Sequence, residues 1–213
     1  MIKTTLKNLT LGLLAFGMAM PVLAQKNDRV ITREIQHYRD SLNTAFKNPD
    51  KSPLLPDDFK AFDSLSVFPA NTDYYIRAKF VRTPNQEPFR MATTSPDRNP
   101  WYEKYGEAHF DLNGNNISVN IYQSHELRKT EKYRNYLFLP FRDKTNGNTT
   151  YGGGRYVELS IPKGDSITIG FNKAYNPYCA YNASYACPLV PVDNHLSIEV
   201  PTGVKAFKTK KKK

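Results

Sequence analysis

Residues 101–124 read WYEKYGEAHFDLNGNNISVNIYQS, and this stretch decides the fold class. Aromatic and β-branched residues crowd both halves, which suits a pleated, half-buried surface. Between them stands Asn113-Gly114, the pair that best tolerates the two positive φ angles of a type I′ turn. The pattern predicts an antiparallel hairpin made of Trp101–Leu112 and Ile117–Gln123. Runs of the same character flank it: Tyr74–Thr83 and Glu87–Thr94 before, then Tyr136–Arg142, Thr150–Ile161, Ile167–Phe171 and His195–Val200 after. Asn146-Gly147 and Lys163-Gly164-Asp165 supply turns between them. About eight short strands at close spacing predict an all-β protein, an antiparallel β-sandwich or a partly closed barrel. The aromatic share of 13%, with 14 Tyr and 12 Phe, points the same way.

Only one segment has a long helical period. From Asp28 to Lys47, apolar residues recur at Ile31, Ile35, Tyr38, Leu42 and Ala45/Phe46, steps of three and four that make one face of an amphipathic helix. Asp28 is the expected N-cap and Pro49 ends the pattern. A short second helix is expected from Asp57, after Pro56, carrying Phe59 and Phe62.

Ahead of this helix, Lys3 and Lys7 precede an apolar run from Leu9 to Met20, and Val22 and Ala24 occupy the −3 and −1 positions before Gln25. This is the pattern of a secretory signal peptide. The run falls short of the roughly 20 residues of a membrane span, and no comparable run follows. The expected organisation is a signal peptide at 1–24, an N-terminal helix and linker at 25–52, one β-rich domain at 53–204 and a Lys-rich disordered tail at 205–213. Localisation is then periplasmic or secreted, with no transmembrane segment after cleavage. The net charge of +10 invites a nucleic-acid reading. Removing the two lysines before residue 25 and the six after residue 204 leaves +2. The folded part is near neutral, no nucleic-acid partner is expected, and the tail's chemistry suits at most an anionic surface.

The densest polar chemistry lies between Tyr136 and Pro191. Arg142, Asp143 and Arg155 fit two readings: an ion-pair network bracing two strands, or an arginine fork for a carboxylate or phosphate. In the second, Tyr151, Asn172, Tyr175 and Asn176 would add directional hydrogen bonds. Gly152-Gly153-Gly154 lacks the Lys-Ser/Thr pair of a phosphate loop, since Arg155-Tyr156 follows, and reads as a bulge within a strand. Cys179 and Cys187, separated by seven residues, read as a disulfide in an oxidising compartment. Closing that loop is worth roughly 2.5 kcal/mol on the chain-entropy model. A metal site with His195 lacks a fourth ligand and the usual spacing, so no metal is expected. His37 and His125 are expected to be solvated. Neither a cofactor motif nor a HExxH, GxSxG or paired-carboxylate signature occurs.

The blocks PFRDKTNGNTTYGGGRY, FNKAYNPYCAYNASYACPLVP and DNHL resemble the family called domain of unknown function 1684. The resemblance extends from the N-terminal helix through FPAN, YYIRAKF and the hairpin, most of residues 25–213. Two positions depart from it: Gly170, where members often carry Asp, and Asp193, where Glu is usual. A duty of that acid would go unmet at Gly170. The resemblance implies a fold and a set of positions, with no activity attached. Three functional readings follow from the residues. One is a binding module for a small polar or anionic ligand such as a saccharide or cell-wall fragment. Another is a hydrolase using the same pocket, with Asp143 or His195 as base. The third is a structural protein whose polar block is a core network.

Overall fold

The computed structural model describes residues 19–208. Its elements are α1 (Ala19–Lys47), α2 (Pro56–Lys60), β1 (Tyr75–Arg82), β2 (Phe89–Arg90), β3 (Trp101–Leu112), β4 (Asn115–Ser124), β5 (Tyr136–Phe141), β6 (Arg155–Ser160) and β7 (Ser166–Gly170). The strands form one antiparallel sheet in the order β6-β5-β4-β3-β1-β7, with β2 paired to β3. The end strands β6 and β7 touch without forming a ladder. A twisted sheet whose edges approach in this way is a curled half-barrel with one main helix. Because the strands make a single sheet, the layout is not that of two stacked sheets.

The β3–β4 hairpin turns at Asn113 (φ 54°) and Gly114 (φ 75°), the two positive angles that the Asn-Gly pair accommodates. Farther along, the register slips between Lys104 and Gly106, leaving Tyr105 as the extra residue of a bulge. A one-residue slip moves side chains to the other face. Lys104 therefore pairs with Tyr122, whereas Ala108 pairs with Val119. Tyr102, Tyr122, Phe138 and Tyr156 pack together on one face. Ala78, Phe80, Ala108, Val119, Leu139 and Ile169 fill the other, the main core.

Several local expectations change. Ala19, the first described residue, is already helical, so Asp28 lies inside the helix and is not its N-cap; buried helix residues begin at Ile31 among those whose side chains are described. Thr150–Ile161 shortens to β6, because Gly152 and Gly153 form a turn ahead of the strand. Glu87–Thr94 keeps only Phe89–Arg90, Pro88 having no N–H to give a ladder. His195–Val200 is not a strand. Its backbone meets Arg142 and Lys144 (Leu196 N–H to Arg142 O, 2.8 Å; Lys144 N–H to Ile198 O, 2.9 Å). Its last residue is taken up by the Asp143–Arg155 pair described below. Phe46, Leu54, Leu65, Tyr181 and Val204 make a second core under α1. The folded chain continues past residue 204. Lys205 and Ala206 donate to Ser66 and Thr149 carbonyls at 2.8 and 3.0 Å, and Phe207 packs on Tyr181. The expected signal segment lies mostly outside the described residues. Among the described residues, no helix is long and apolar enough to cross a membrane.

Candidate functional site

Arg155 opens β6 and is wholly buried. One Nη donates to Asp143 Oδ2 at 2.7 Å and to Val200 O at 2.8 Å; the other donates to Thr202 O. The Phe141 ring lies 5.1 Å from the guanidinium carbon. Burial lowers the guanidinium pKa and the Asp143 carboxylate offsets part of this. Asp143 is equally enclosed. Its Oδ1 accepts from Thr145 N–H (2.8 Å), Thr145 hydroxyl (2.5 Å) and Val200 N–H (3.3 Å). This is the bracing network, and it corrects the alternative in which Arg155 and Asp143 face a ligand: both lie in the interior with their charges spent on each other.

Two asparagines serve the same end. Asn172 donates to Asn71 O (2.6 Å) and accepts from Asn71 N–H (2.9 Å) and Thr202 hydroxyl (2.8 Å), so it pins rather than recognises. Asn194, from the DNHL block, repairs the sheet. β4 and β5 pair only at Tyr122 and Phe138, and Pro140 brings no N–H. The Asn194 side chain bridges the gap, with Asn120 N–H (2.7 Å), Asn120 O (2.8 Å) and Pro140 O (2.7 Å) as partners. Gly154, at φ 95°, follows the same logic. An added Cβ would lie 2.6 Å from Val190 Cγ2 and 2.7 Å from Phe141 O, so the chain needs glycine here. Arg142 is half-buried, and its backbone joins Asn194 and Leu196.

The remaining candidates, Tyr151, Tyr175 and Asn176, lie elsewhere. Tyr151 reaches Cys179 Sγ at 3.8 Å; burial first and then the Cys179 contact push its phenol up to about 12. Cys179 and Cys187 are unbridged thiols in this structure, so the expected disulfide is not formed here. The fold supplies adjacency, with the Cys179 N–H pointing at Cys187 Sγ from 3.0 Å; the bond itself requires an oxidant. The Cys187 hydrogen bond draws the Cys179 thiol down to about 7 and pushes Cys187 up. His195 is exposed beside Val190 O, and His125 is paired with Glu103 rather than solvated. Among the described residues no three His, Cys, Asp or Glu side chains gather as metal ligands.

Tyr175 and Asn176 line a groove of about 410 Å³ that the sequence did not reveal. α1 contributes Tyr38, Leu42 and Phe46; β6 contributes Tyr156 and Glu158; the loop after β7 contributes Tyr175, Asn176, Tyr178, Tyr181, Tyr185 and Cys187. The rings meet edge to face: Phe46–Tyr181 at 4.9 Å, Tyr178–Tyr185 at 5.2 Å and Tyr156–Tyr175 at 5.8 Å. Such pairs hold each other's orientation. Tyr175 donates to Glu158 at 3.1 Å, and Tyr156 donates to Pro188 O. Burial raises the Tyr38, Tyr156, Tyr175, Tyr178 and Tyr181 phenols, with Glu158 adding to the effect on Tyr38, Tyr175 and Tyr178. All five stay neutral hydroxyls near pH 7. A larger cleft of about 700 Å³ runs beside Asp58, Asp63 and Lys205 to Lys208, and none of the sequence candidates opens into it. The signal for the aromatic groove was present in the spacing of Tyr178, Tyr181 and Tyr185; nothing in it pointed to β6 or to α1 as the facing walls.

The comparisons agree with this fold. A solution NMR structure of an uncharacterized protein from Haloarcula marismortui is 34% identical, covers 84% of this chain and 96% of its own, and superposes with a TM-score of 0.66. No curated protein matches the chain. The family model described as "Protein of unknown function (DUF1684)" matches residues 60–205, from the end of α2 through β7 and the tyrosine loop to Lys205. With its strands, its buried Arg155–Asp143 pair and its Asn194 bridge all inside that span, the chain belongs to the DUF1684 family.

Proposed function

We propose that this protein is an exported binding module for a small polar ligand, held in the tyrosine groove between α1, β6 and the loop that follows β7. One observation carries the reading: a cavity of about 410 Å³ walled by six tyrosines and a phenylalanine, with Glu158 and Asn176 as its polar points. Ligand sites are characteristically concave and aromatic-lined, with few polar groups, at volumes of roughly 300–1,000 Å³. The anionic half of the sequence expectation has no support in the groove, because no Lys, Arg or His lines it. The hydrolase reading loses Asp143 as base, since that carboxylate is committed to Arg155 inside the core, and its other base, the exposed His195, does not line the groove. Export rests on the Lys3–Ala24 pattern.

Ligand-observed NMR with a panel of sugars, amines and carboxylates tests the reading. Binding of any member should weaken in Tyr178→Ala, a change at an exposed residue of the rim. A panel in which no compound binds, or in which binding ignores groove substitutions, would overturn it.

A further inference from the structure

Glu158 is the only charged side chain among the groove's lining residues. It stands on β6 between Val157 and Leu159, both buried, while its own side chain is exposed. Its carboxylate takes one hydrogen bond from Tyr175 and keeps acceptor capacity for more. Tyr38, Tyr156 and Tyr178 line the groove with it, and aromatic faces carry negative quadrupole charge. Deeper in the lining, the side-chain oxygen of Asn176, a residue only 1% exposed, accepts no hydrogen bond, although its amide donates to Lys205 O at 2.9 Å. A buried acceptor left without a donor is uncommon and calls for one. The nearby cation Lys173 reaches the Tyr38 ring at 5.9 Å but pairs with Glu34. The groove thus presents a carboxylate and tyrosine rings, with a buried acceptor behind them and no Lys, Arg or His among its lining residues.

Building on the binding reading above, we propose that the ligand is an organic ammonium ion, its charge facing Glu158 and the tyrosine rings and its N–H groups donating to acceptors of the lining. Cations over aromatic faces gain most where water is excluded. An opposite charge at the rim adds selectivity against neutral and anionic isosteres.

The test titrates the purified chain at low ionic strength with n-butylammonium, 1-butanol and butyrate, together with N-acetylglucosamine, following the tyrosine ring signals by NMR. The ammonium should bind at least tenfold more tightly than the alcohol, and butyrate should not bind. Glu158→Gln removes the charge at an exposed position and should reduce ammonium affinity about tenfold while leaving the alcohol unchanged. Tyr178→Leu should weaken ammonium binding severalfold with Glu158 intact. Because the ammonium-to-alcohol ratio is read on the unmodified chain, it stands even if a variant does not fold. Equal affinity for the three butyl compounds, or ammonium binding indifferent to Glu158→Gln, would sink the cation proposal and leave the groove as a binding site. N-acetylglucosamine shifting the groove tyrosines where the ammonium does not would do the same. No shift with any probe would remove both.

Discussion

Arg155→Met should be among the most damaging single changes in the domain. Both partners of the Arg155–Asp143 pair have fully buried side chains, 2.7 Å apart. Removing the guanidinium leaves the Asp143 carboxylate inside with only the Thr145 and Val200 donors, strips Thr202 O of its donor and leaves Val200 O with the Thr202 N–H alone. Breaking a buried pair from one side costs about 3–5 kcal/mol. For a domain of this length each kcal/mol moves the melting temperature by about 2–4 °C, so the fall should be about 6–20 °C. Arg155→Lys should also destabilise, since one ammonium cannot reproduce the planar fork that serves Asp143, Val200 and Thr202 at once. The Arg155→Met, Asp143→Leu double variant removes the stranded charge. It still leaves backbone groups of Thr145, Val200 and Thr202 short of partners, each costing about 1–3 kcal/mol if it stays dry. The double should therefore be more stable than the sum of the singles predicts, without regaining the parent value. Urea denaturation followed by circular dichroism on all four proteins measures this coupling. A loss below about 1 kcal/mol in Arg155→Met, or strictly additive singles, would show that the pair does not brace the fold and would refute the reasoning.

Other outcomes follow from local geometry. Gly154→Ala should destabilise by more than about 1 kcal/mol, whereas Gly152→Ala, whose added Cβ finds nothing nearer than 3.8 Å, should be close to neutral; equal thermal shifts would contradict this. In reduced protein, iodoacetamide should modify Cys179 at a rate that rises with pH around a midpoint near 7, because the thiolate is the reactive form and low pH protonates it. Cys187→Ala removes the stabilising S–H donor and should move that midpoint upward. Protein isolated from an oxidising compartment should instead show a Cys179–Cys187 bond, and two titratable thiols in such a preparation would exclude it. N-terminal sequencing of exported protein should begin at Gln25, or be blocked by its cyclisation.

What sequence alone determined was local. The Asn113-Gly114 turn and its flanking strands were readable because φ > 0 and period-two burial are properties of a few neighbouring residues. The period of α1 was readable for the same reason, through Ile31, Ile35 and Phe46, which are buried as expected. The cap reading of Asp28 was not correct, since Asp28 lies within the helix. The Tyr105 bulge was also hidden: a single inserted residue leaves composition unchanged while exchanging the two faces of β3. The polar block could be recognised as specific but not assigned. An arginine beside an aspartate reads identically whether it braces or binds, and only tertiary placement at zero exposure decided for bracing. The groove is the extreme case. Tyr38, Glu158 and Tyr178 stand far apart in the chain and converge only when α1 and the loop after β7 close over β6. Local patterns are fixed by backbone stereochemistry over a few residues, whereas a concave site is fixed by which distant surfaces the sheet's curl brings face to face.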